Sequence, residues 1–510
     1  MKHKRTIRLM AALMVGTAAT MTTEAIYGEK VVILHTNDTH SQIDPNDKGM
    51  GGILRRKVLV DSVRSSRSNV LLVDAGDAVQ GTLYFSLYGG EVEQKMMNEL
   101  GYDIQILGNH EFDNGLDELA RMYAPVKATK LTTNYDLRGT VLENMFEPYT
   151  IRQIGDKKVG FLAINIDPKG MIADKNAVGV KYLDGIEAAN ATAWHLKHNE
   201  HCDAVVALTH IGYGDEHEPG YTDRELAASS KNIDIIIGGH SHTAINPANP
   251  KSPKWRVANA LGDSILVTQT GKGGLFLGEI ELDLDNPRAA SYRLIPVNSR
   301  LDSRIDPKAA AMLEPYRHGV DSIRGIKIGK AAAELRPNTE LLNLVSDFVL
   351  DQGKTIAKNV DLAIVNKGGI RCAMPKGDVT KGLIMQMLPF DNKVNVIDIS
   401  GADLLEAMDV MASRGGDGVS ANVSATYNPA TGKCTGVTIN GKPLDKTKTY
   451  RLATIDYLRN GGDFMTTLTN GKDVATSSRV LYDDLIDYIQ AGKFKGKAIK
   501  GDSTARMKPL

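Results

Sequence analysis

The chain has 510 residues, 42% of them hydrophobic and 24% charged, with Lys+Arg and Asp+Glu each numbering 61. That length exceeds one compact core, so two or three domains are expected, and the composition excludes a disordered chain. With no net charge there is no electrostatic case for a nucleic-acid polymer or a membrane surface, and no basic run or aromatic ladder suggests a nucleic-acid groove, so no nucleic-acid partner is expected.

The first residues are a basic stretch (1–8), then an apolar, small-residue run (9–21), then "TTEA" ending at Ala25. This order predicts a secretory signal peptide over 1–25. The alternative is a short membrane anchor, but the run falls below the ~20 apolar residues a spanning helix needs. The expected product is an exported protein, periplasmic or secreted, without a membrane span. Cys202, Cys372 and Cys434 form no disulfide framework, and their scatter rules out a thiolate zinc site.

Short apolar runs then alternate with helical stretches. Strands are predicted over 31–36, 69–77, 103–113, 158–165, 203–212, 233–242 and 264–271. Helices are predicted over 91–101 and 185–201. Near-continuous apolar strands suit a sheet covered on both faces, and the alternation is α/β layering. Residues 301–325 are predicted to form a linking helix, broken near Pro315 or capped beyond it. A second α/β unit follows over 326–510, with helices at 340–353 and 402–416, strands at 360–366 and 394–401, and Gly-rich loops towards 449–464.

The polar residues cluster where strands end. In chain order they are Asp38 and His40, Asp77, Asn109 and His110, His210, and His240 and His242. An Asp-x-His pair such as Asp38 and His40 is two metal ligands or ordinary loop chemistry. Five strand ends doing the same thing favour the former, because ligands bind beyond the carboxyl ends of strands in open α/β sheets. Oxygen and imidazole donors without thiolates suit two Zn²⁺, Mn²⁺ or similar divalent ions, with Asp77 as the natural bridge.

The "GDAVQG", "GNHEFD", "THIG" and "GGHSH" segments, with Asp38-x-His40, resemble the calcineurin-like metallophosphoesterases. In detail they resemble the secreted 5′-nucleotidase/UDP-sugar hydrolase family. "NKGGIR" (366–371), "LPF" (388–390) and "NGGDF" (460–464) extend the likeness over almost all of the mature chain. The resemblance implies an α/β protein of two domains. The first is a calcineurin-like sandwich over 29–300, joined by a helix at 301–325 to a nucleotide-binding domain over 326–510.

It also implies one metal on Asp38, His40, Asp77 and His242, and another on Asp77, Asn109, His210 and His240. His110 is implied as the catalytic histidine, with Asp113 as its partner; the other reading of Asp113 is an N-cap for the next helix. In the second domain the resemblance implies Arg371 at the phosphate, Asn366 at the base or sugar, and Asp463 at the ribose hydroxyls. Phe390 and Tyr457 are implied as an aromatic clamp, and Arg336 is a further candidate at the phosphate. The chain departs from the family at Lys367, where Gly is common, and in the glycine count of "NGGDF". It also carries His242, where close 5′-nucleotidases often carry an amide.

The expected activity is phosphate release from nucleoside 5′-monophosphates by attack of metal-activated water. Rivals within the class are a UDP-sugar or dinucleotide pyrophosphatase and a 2′,3′-cyclic-nucleotide phosphodiesterase/3′-nucleotidase. A rival outside it is a non-catalytic nucleotide-binding protein. Four further features carry ordinary structural readings. His195, His198 and His201 fall on one side of a helix, better taken as a solvated face than a third metal site. "GKGGLFLG" (271–278) lacks the ending of a P-loop and is taken as a turn. Cys372 is taken as a structural thiol, and His35 as packed within its strand.

Overall fold

In the strand Lys30–Thr36, alternate side chains serve two different cores. Val31 and Ile33 face a core closed between two sheets, whereas Val32 and Leu34 face a core under helices. This period of two is what makes the run continuously apolar: both faces are covered. The computed structural model describes residues 30–214 and 221–510. The leader expected over 1–25 lies outside the described residues.

One six-stranded sheet runs in the order Ser291–Pro296, Phe276–Asp283, Lys30–Thr36, Val70–Asp74, Ile104–Ile106, Thr129–Leu131. The other runs Arg256–Ala258, Ser264–Thr268, Ile235–Ile237, Ala204–His210, Lys157–Asn165, Tyr149–Ile154. Ile104, Ile106, Phe161, Val206 and Ile236 meet between the sheets at 0% exposure. The helices Ile53–Ser66, Glu91–Leu100 and Gly115–Tyr123 bring side chains to the core outside the first sheet. Gly185–His198 and Asp223–Ser229 contribute to the core of the second.

Five strands stop earlier than expected, at Asp74, Ile106, His210, Ile237 and Thr268. Gly76, Asp77, His240 and His242 beyond two of these ends have positive φ, and a strand cannot continue through that conformation. The helix Ile53–Ser66 and the antiparallel strands Phe276–Asp283 and Ser291–Pro296 were not among the sequence expectations.

The expected linking helix is a short 3₁₀ turn, Ser299–Arg304, and then one unbroken helix, Pro307–Arg324. Asp306 caps it, with Pro307 in the first turn where its missing N–H costs nothing. Pro315 does not end it. Leu313 and Val320 on either side are buried at 0% exposure, and that packing holds the helix through the proline. The helix packs against Leu83–Tyr88 and Glu91–Leu100 on one side and Lys381–Met387 on the other, which ties the two halves together.

The second half is built on a five-stranded mixed sheet, Gly418–Val419, Leu362–Val365, Thr449–Ile455, Val394–Ser400, Lys472–Thr476. The helix Glu340–Ile356 lies against it, and three- and four-stranded sheets flank it. Among the described residues no helix is long and apolar enough to cross a membrane.

Candidate active site between the two halves

The loops after the parallel strands converge, and their backbones are unusual. Asp38, His40, Asp77, His240 and His242 all have φ between 47° and 79°. Side-chain-bearing residues rarely adopt this left-handed region, and clusters of such strain mark functional sites. The loops are also pressed together. A Cβ on Gly108 would lie 2.2 Å from Asp77 Oδ1, and one on Gly76 would lie 2.7 Å from the Gly108 nitrogen. Glycine there lets the Asp77 carboxylate approach the neighbouring loop.

Three groups of side chains each bring their donor atoms within 4.8 Å of one another: Asp38, His40 and His242; His40, Asp77 and His110; Asp77, His210 and His240. His40 Nε2 and His242 Nε2 are 2.8 Å apart, and the Asp38 carboxylate is 3.6 Å from His242 Nε2. His240 Nδ1 lies 2.9 Å from Asn109 Oδ1, and the His240 N–H is held by the Asp38 carboxylate. Asp77 Oδ1 accepts from the His110 N–H at 2.9 Å. Every residue expected at the metals is therefore in one cluster.

The cluster fits cations. His210 Nδ1 lies 2.7 Å from the Ala75 carbonyl and donates to it, so a neutral ring leaves Nε2 as a bare lone pair. That buried atom stands 3.1 Å from Asp77 Oδ2 and 4.0 Å from Asp38 Oδ1. Although burial opposes it, the Asp77 and Asp38 carboxylates raise the His210 pKa to about 10, so the field at this point favours positive charge. Burial holds His240 and His242 down to about 3, and His40 well below its ordinary value, which keeps their imidazoles neutral with lone pairs available. Oxygen and imidazole donors of this kind suit divalent zinc or manganese.

His110 Nδ1 lies 2.9 Å from Asp113 Oδ2. The carboxylates of Asp113 and Asp77 outweigh the effect of burial and raise the His110 pKa, which favours the imidazolium. Asp113 does not cap the following helix: its side chain serves His110, and the helix Gly115–Tyr123 begins without a side-chain cap.

Across the cavity stand residues of the second half. Arg371 sits with its guanidinium 5.9 Å from the Phe390 ring centroid and donates to the Gly368 carbonyl at 3.4 Å. The Phe390 ring in turn stacks on His110 with the ring centroids 5.9 Å apart, so the two sides of the cavity meet there. Tyr457 lines the same cavity, with its hydroxyl turned to Asp463 at 3.0 Å. Asn366 Nδ2 and Arg414 Nη1 both reach Asp463 Oδ2 at 2.8 Å. The cavity measures about 660 Å³ and is lined from both halves, by Asp77, His110, Arg371, Phe390, Tyr457 and Asp463 among others.

One expectation is corrected. Arg336 is not at the phosphate; it lies exposed, paired with Glu340 at the start of a helix. His195 is engaged by Tyr149 and Glu200, His198 lies against Trp194, and neither joins a metal group among the described residues. His35 is buried within its strand and stacked on Tyr292.

Other residues were missed. Glu111, buried at 2% exposure, accepts from the N–H groups of Gly108, Ala78 and Asp77 at 2.6, 2.9 and 3.1 Å. It stitches together the two loops that carry Asp77 and Asn109. Its signal was its place inside "GNHEFD", beside residues with more obvious chemistry. Asn37 does similar work, donating to the Asp38 carboxylate and the Gly271 carbonyl. The turn expected over 271–278 is confined to 271–275, since the strand Phe276–Asp283 already begins there, and it buttresses the cluster: the Gly273 N–H donates to the Asp38 carbonyl at 2.7 Å.

Residues 31–244 match the family model of the calcineurin-like phosphoesterases, and residues 327–470 match that of the 5′-nucleotidase C-terminal domain. The chain is 28% identical to a 5′-nucleotidase of Vibrio cholerae, covering 93% of each. It is 26% identical to the trifunctional nucleotide phosphoesterase YfkN of Bacillus subtilis over 87% of this chain, but spans only 33% of that protein. The crystal structure of a 5′-nucleotidase precursor from Thermus thermophilus superposes with a TM-score of 0.82 at 27% identity, covering 94% of this chain and 99% of that one.

Proposed function

From the premise that this chain belongs to the metallophosphoesterases built of a calcineurin-like domain and a 5′-nucleotidase C-terminal domain, and is a metal-dependent nucleotide phosphohydrolase, we propose that it is an exported 5′-nucleotidase. One observation carries this reading. The metal cluster with His110 and the Arg371–Phe390–Tyr457–Asp463 surface face each other across a single cavity. A cavity of about 660 Å³ is in the range of small-molecule sites.

In this reading Asp38, His40, Asp77 and His242 hold one divalent ion, and Asp77, Asn109, His210 and His240 hold the other. When bound, such a pair supplies an acidified water and positive charge against the phosphoryl oxygens. The chain's own groups do the rest. Asp113 orients the His110 ring and favours its cationic form, which leaves Nε2–H for a phosphate oxygen as charge develops. Arg371 presents a planar, permanently charged fork to the same phosphate. Phe390 and Tyr457 offer ring faces to the base, and Asn366 and Asp463 take the sugar. Binding the nucleoside away from the reacting centre then positions the phosphate for attack.

The reading predicts that phosphate release from AMP exceeds cleavage of UDP-glucose, NAD and 2′,3′-cyclic AMP by about tenfold or more in kcat/KM, since a second phosphoryl or sugar group needs contacts of its own. All activity should require Mn²⁺ or Zn²⁺. Faster cleavage of any of the other three would move the assignment to a pyrophosphatase or cyclic phosphodiesterase. No cleavage of any would make the protein a nucleotide binder. Export rests on the basic, apolar, small-residue order of residues 1–25. Sequencing of the mature N-terminus should begin near residue 26, and finding Met1 or Lys2 there would refute it.

A further inference from the structure

The loop following the strand Lys157–Asn165 belongs to the catalytic half, yet it is docked on the nucleoside side of the cavity. Gly170, buried and with φ +78°, accepts through its carbonyl from the Asp463 N–H at 2.9 Å. The Tyr457 hydroxyl stands 3.3 Å from the same carbonyl and 3.0 Å from Asp463 Oδ1. The Asp463 N–H is also within 3.2 Å of that hydroxyl. Asp463 and Phe464 are consecutive left-handed residues, with φ of 54° and 62°, a conformation that needs surrounding contacts to persist. Gly170 supplies one such contact, because a Cβ on it would come within 2.8 Å of the Phe464 ring. At its far end the loop reaches the catalytic pair: Asn176 Nδ2 donates to the Asp113 carbonyl at 2.7 Å.

A carboxylate has about four acceptor directions. Tyr457, Asn366 and Arg414 occupy three of those on Asp463. One direction remains for a substrate hydroxyl, and its aim is set by the groups holding the other three.

We propose that the catalytic half contributes Gly170 to the ribose-recognition site, with the Gly170 carbonyl and the Tyr457 hydroxyl acting as positioning groups that aim the Asp463 carboxylate at the ribose hydroxyls. This rests on the nucleotidase reading above. The catalytic half then contributes to sugar selection as well as to chemistry. Tyr457 has a role through its hydroxyl that a phenylalanine would not perform, however well its ring stacked.

The test compares kcat/KM for AMP, 2′,3′-dideoxy-AMP and phenyl phosphate, using metal-loaded protein. The variants are Gly170→Ala, Tyr457→Phe and, as a control on the same loop, the exposed Lys169→Ala. Wild type should prefer AMP to the dideoxy analogue by about tenfold or more, the worth of a hydrogen bond to a charged acceptor. In Gly170→Ala and Tyr457→Phe that preference should fall to about threefold or less, with a raised KM for AMP. Lys169→Ala should keep the wild-type ratio. A general loss of structure would lower all three substrates together and leave the ratio intact.

If Gly170→Ala does not fold, Tyr457→Phe decides alone. If wild type prefers AMP to phenyl phosphate yet both variants keep the wild-type AMP-to-dideoxy ratio, the inference is overturned and the nucleotidase reading stands. The same follows if wild type never distinguishes the two nucleotides. If wild type handles phenyl phosphate as well as AMP, the nucleotidase reading fails and takes the inference with it.

Discussion

The two walls of the cavity are built on opposite principles. The catalytic wall draws its groups from strand ends far apart in sequence, holds five of them (Asp38, His40, Asp77, His240 and His242) in left-handed backbone conformations, and buries most of them. Asp38, Asp77 and His210 are at most 1% exposed. The nucleoside wall relies on side chains that hold one another, as Asp463 is held by Tyr457, Asn366 and Arg414. The first arrangement suits groups that must not move during a reaction. The second suits a surface whose contacts can be exchanged without disturbing the chemistry. If so, damage to the first wall should be indifferent to the leaving group, and damage to the second should depend on it.

The largest expected effect is at Asp77, which stands in two of the three donor groups. Asp77→Asn should lower kcat/KM by about a thousandfold or more for AMP and phenyl phosphate alike, and reduce bound metal by more than either histidine on its two sides. A variant that retained both ions, measured by metal analysis, would break the idea of a shared bridge. Next comes His110. Its removal in His110→Ala should cost about 10²–10³-fold in kcat on both substrates, with bound metal unchanged, since it acts on the phosphate and not as a ligand. A selective loss on AMP would move His110 to the nucleoside wall, where its stack on Phe390 already touches it.

Glu111 comes third and tests what fixes the catalytic wall. Its carboxylate accepts from three backbone N–H groups on the loops bearing Asp77 and Asn109. Glu111→Gln places an amide N–H₂ against those donors. Metal affinity, read by titrating chelator-stripped protein, should weaken about 10–100-fold, and excess Mn²⁺ should restore much of the activity. Unchanged affinity would mean that the loops hold their shape without it.

The two walls also differed in how far the sequence revealed them. The catalytic wall was legible because strand ends in an α/β sheet converge by topology, so Asp38, Asp77, His210 and His240 could be placed together without knowing any contact. Glu111 and Asn37 escaped because they hold neighbouring loops, Glu111 through backbone N–H groups and Asn37 through the Asp38 carboxylate and the Gly271 carbonyl, and such bracing has no sequence pattern of its own. On the nucleoside wall the resemblance supplied the residues but not their partners. That Tyr457 turns its hydroxyl to Asp463 and Gly170, and that Arg336 turns away to Glu340, depends on the register of loops, which periodicity does not report. The helix Pro307–Arg324 shows the same limit: local chemistry left open a break near Pro315 or an end beyond it, and the packing decides for the second.

The clamp tests the second wall directly. Phe390→Ala with Tyr457→Ala should cost AMP at least ~2 kcal/mol in kcat/KM, because stacking contributes ~1–3 kcal/mol per base. Phenyl phosphate, which needs no base surface, should lose much less. Equal losses would collapse the contrast between the walls and reduce the protein to a general phosphoesterase.

The smallest expected effect is also the one that distinguishes how the walls are joined. Two kinds of polar contact tie the 166–177 loop to the second half. One is the buried Gly170 carbonyl with the Asp463 N–H. The other is an ion pair, Lys175 Nζ to Asp456 Oδ2 at 3.0 Å, whose lysine is 58% exposed. A charge so open to water is screened by salt and holds a long side chain at an entropic cost, so such pairs contribute about 0–1 kcal/mol. Lys175→Met keeps most of the side chain's apolar stem and removes the charge. It should change KM for AMP less than about threefold at physiological salt, and leave the AMP-to-dideoxy-AMP ratio alone. A larger rise in KM that grows as salt is lowered would show the loop to be held by charge. The buried carbonyl would then be a passenger, and the rigid joint between the two walls would have to be sought at the surface.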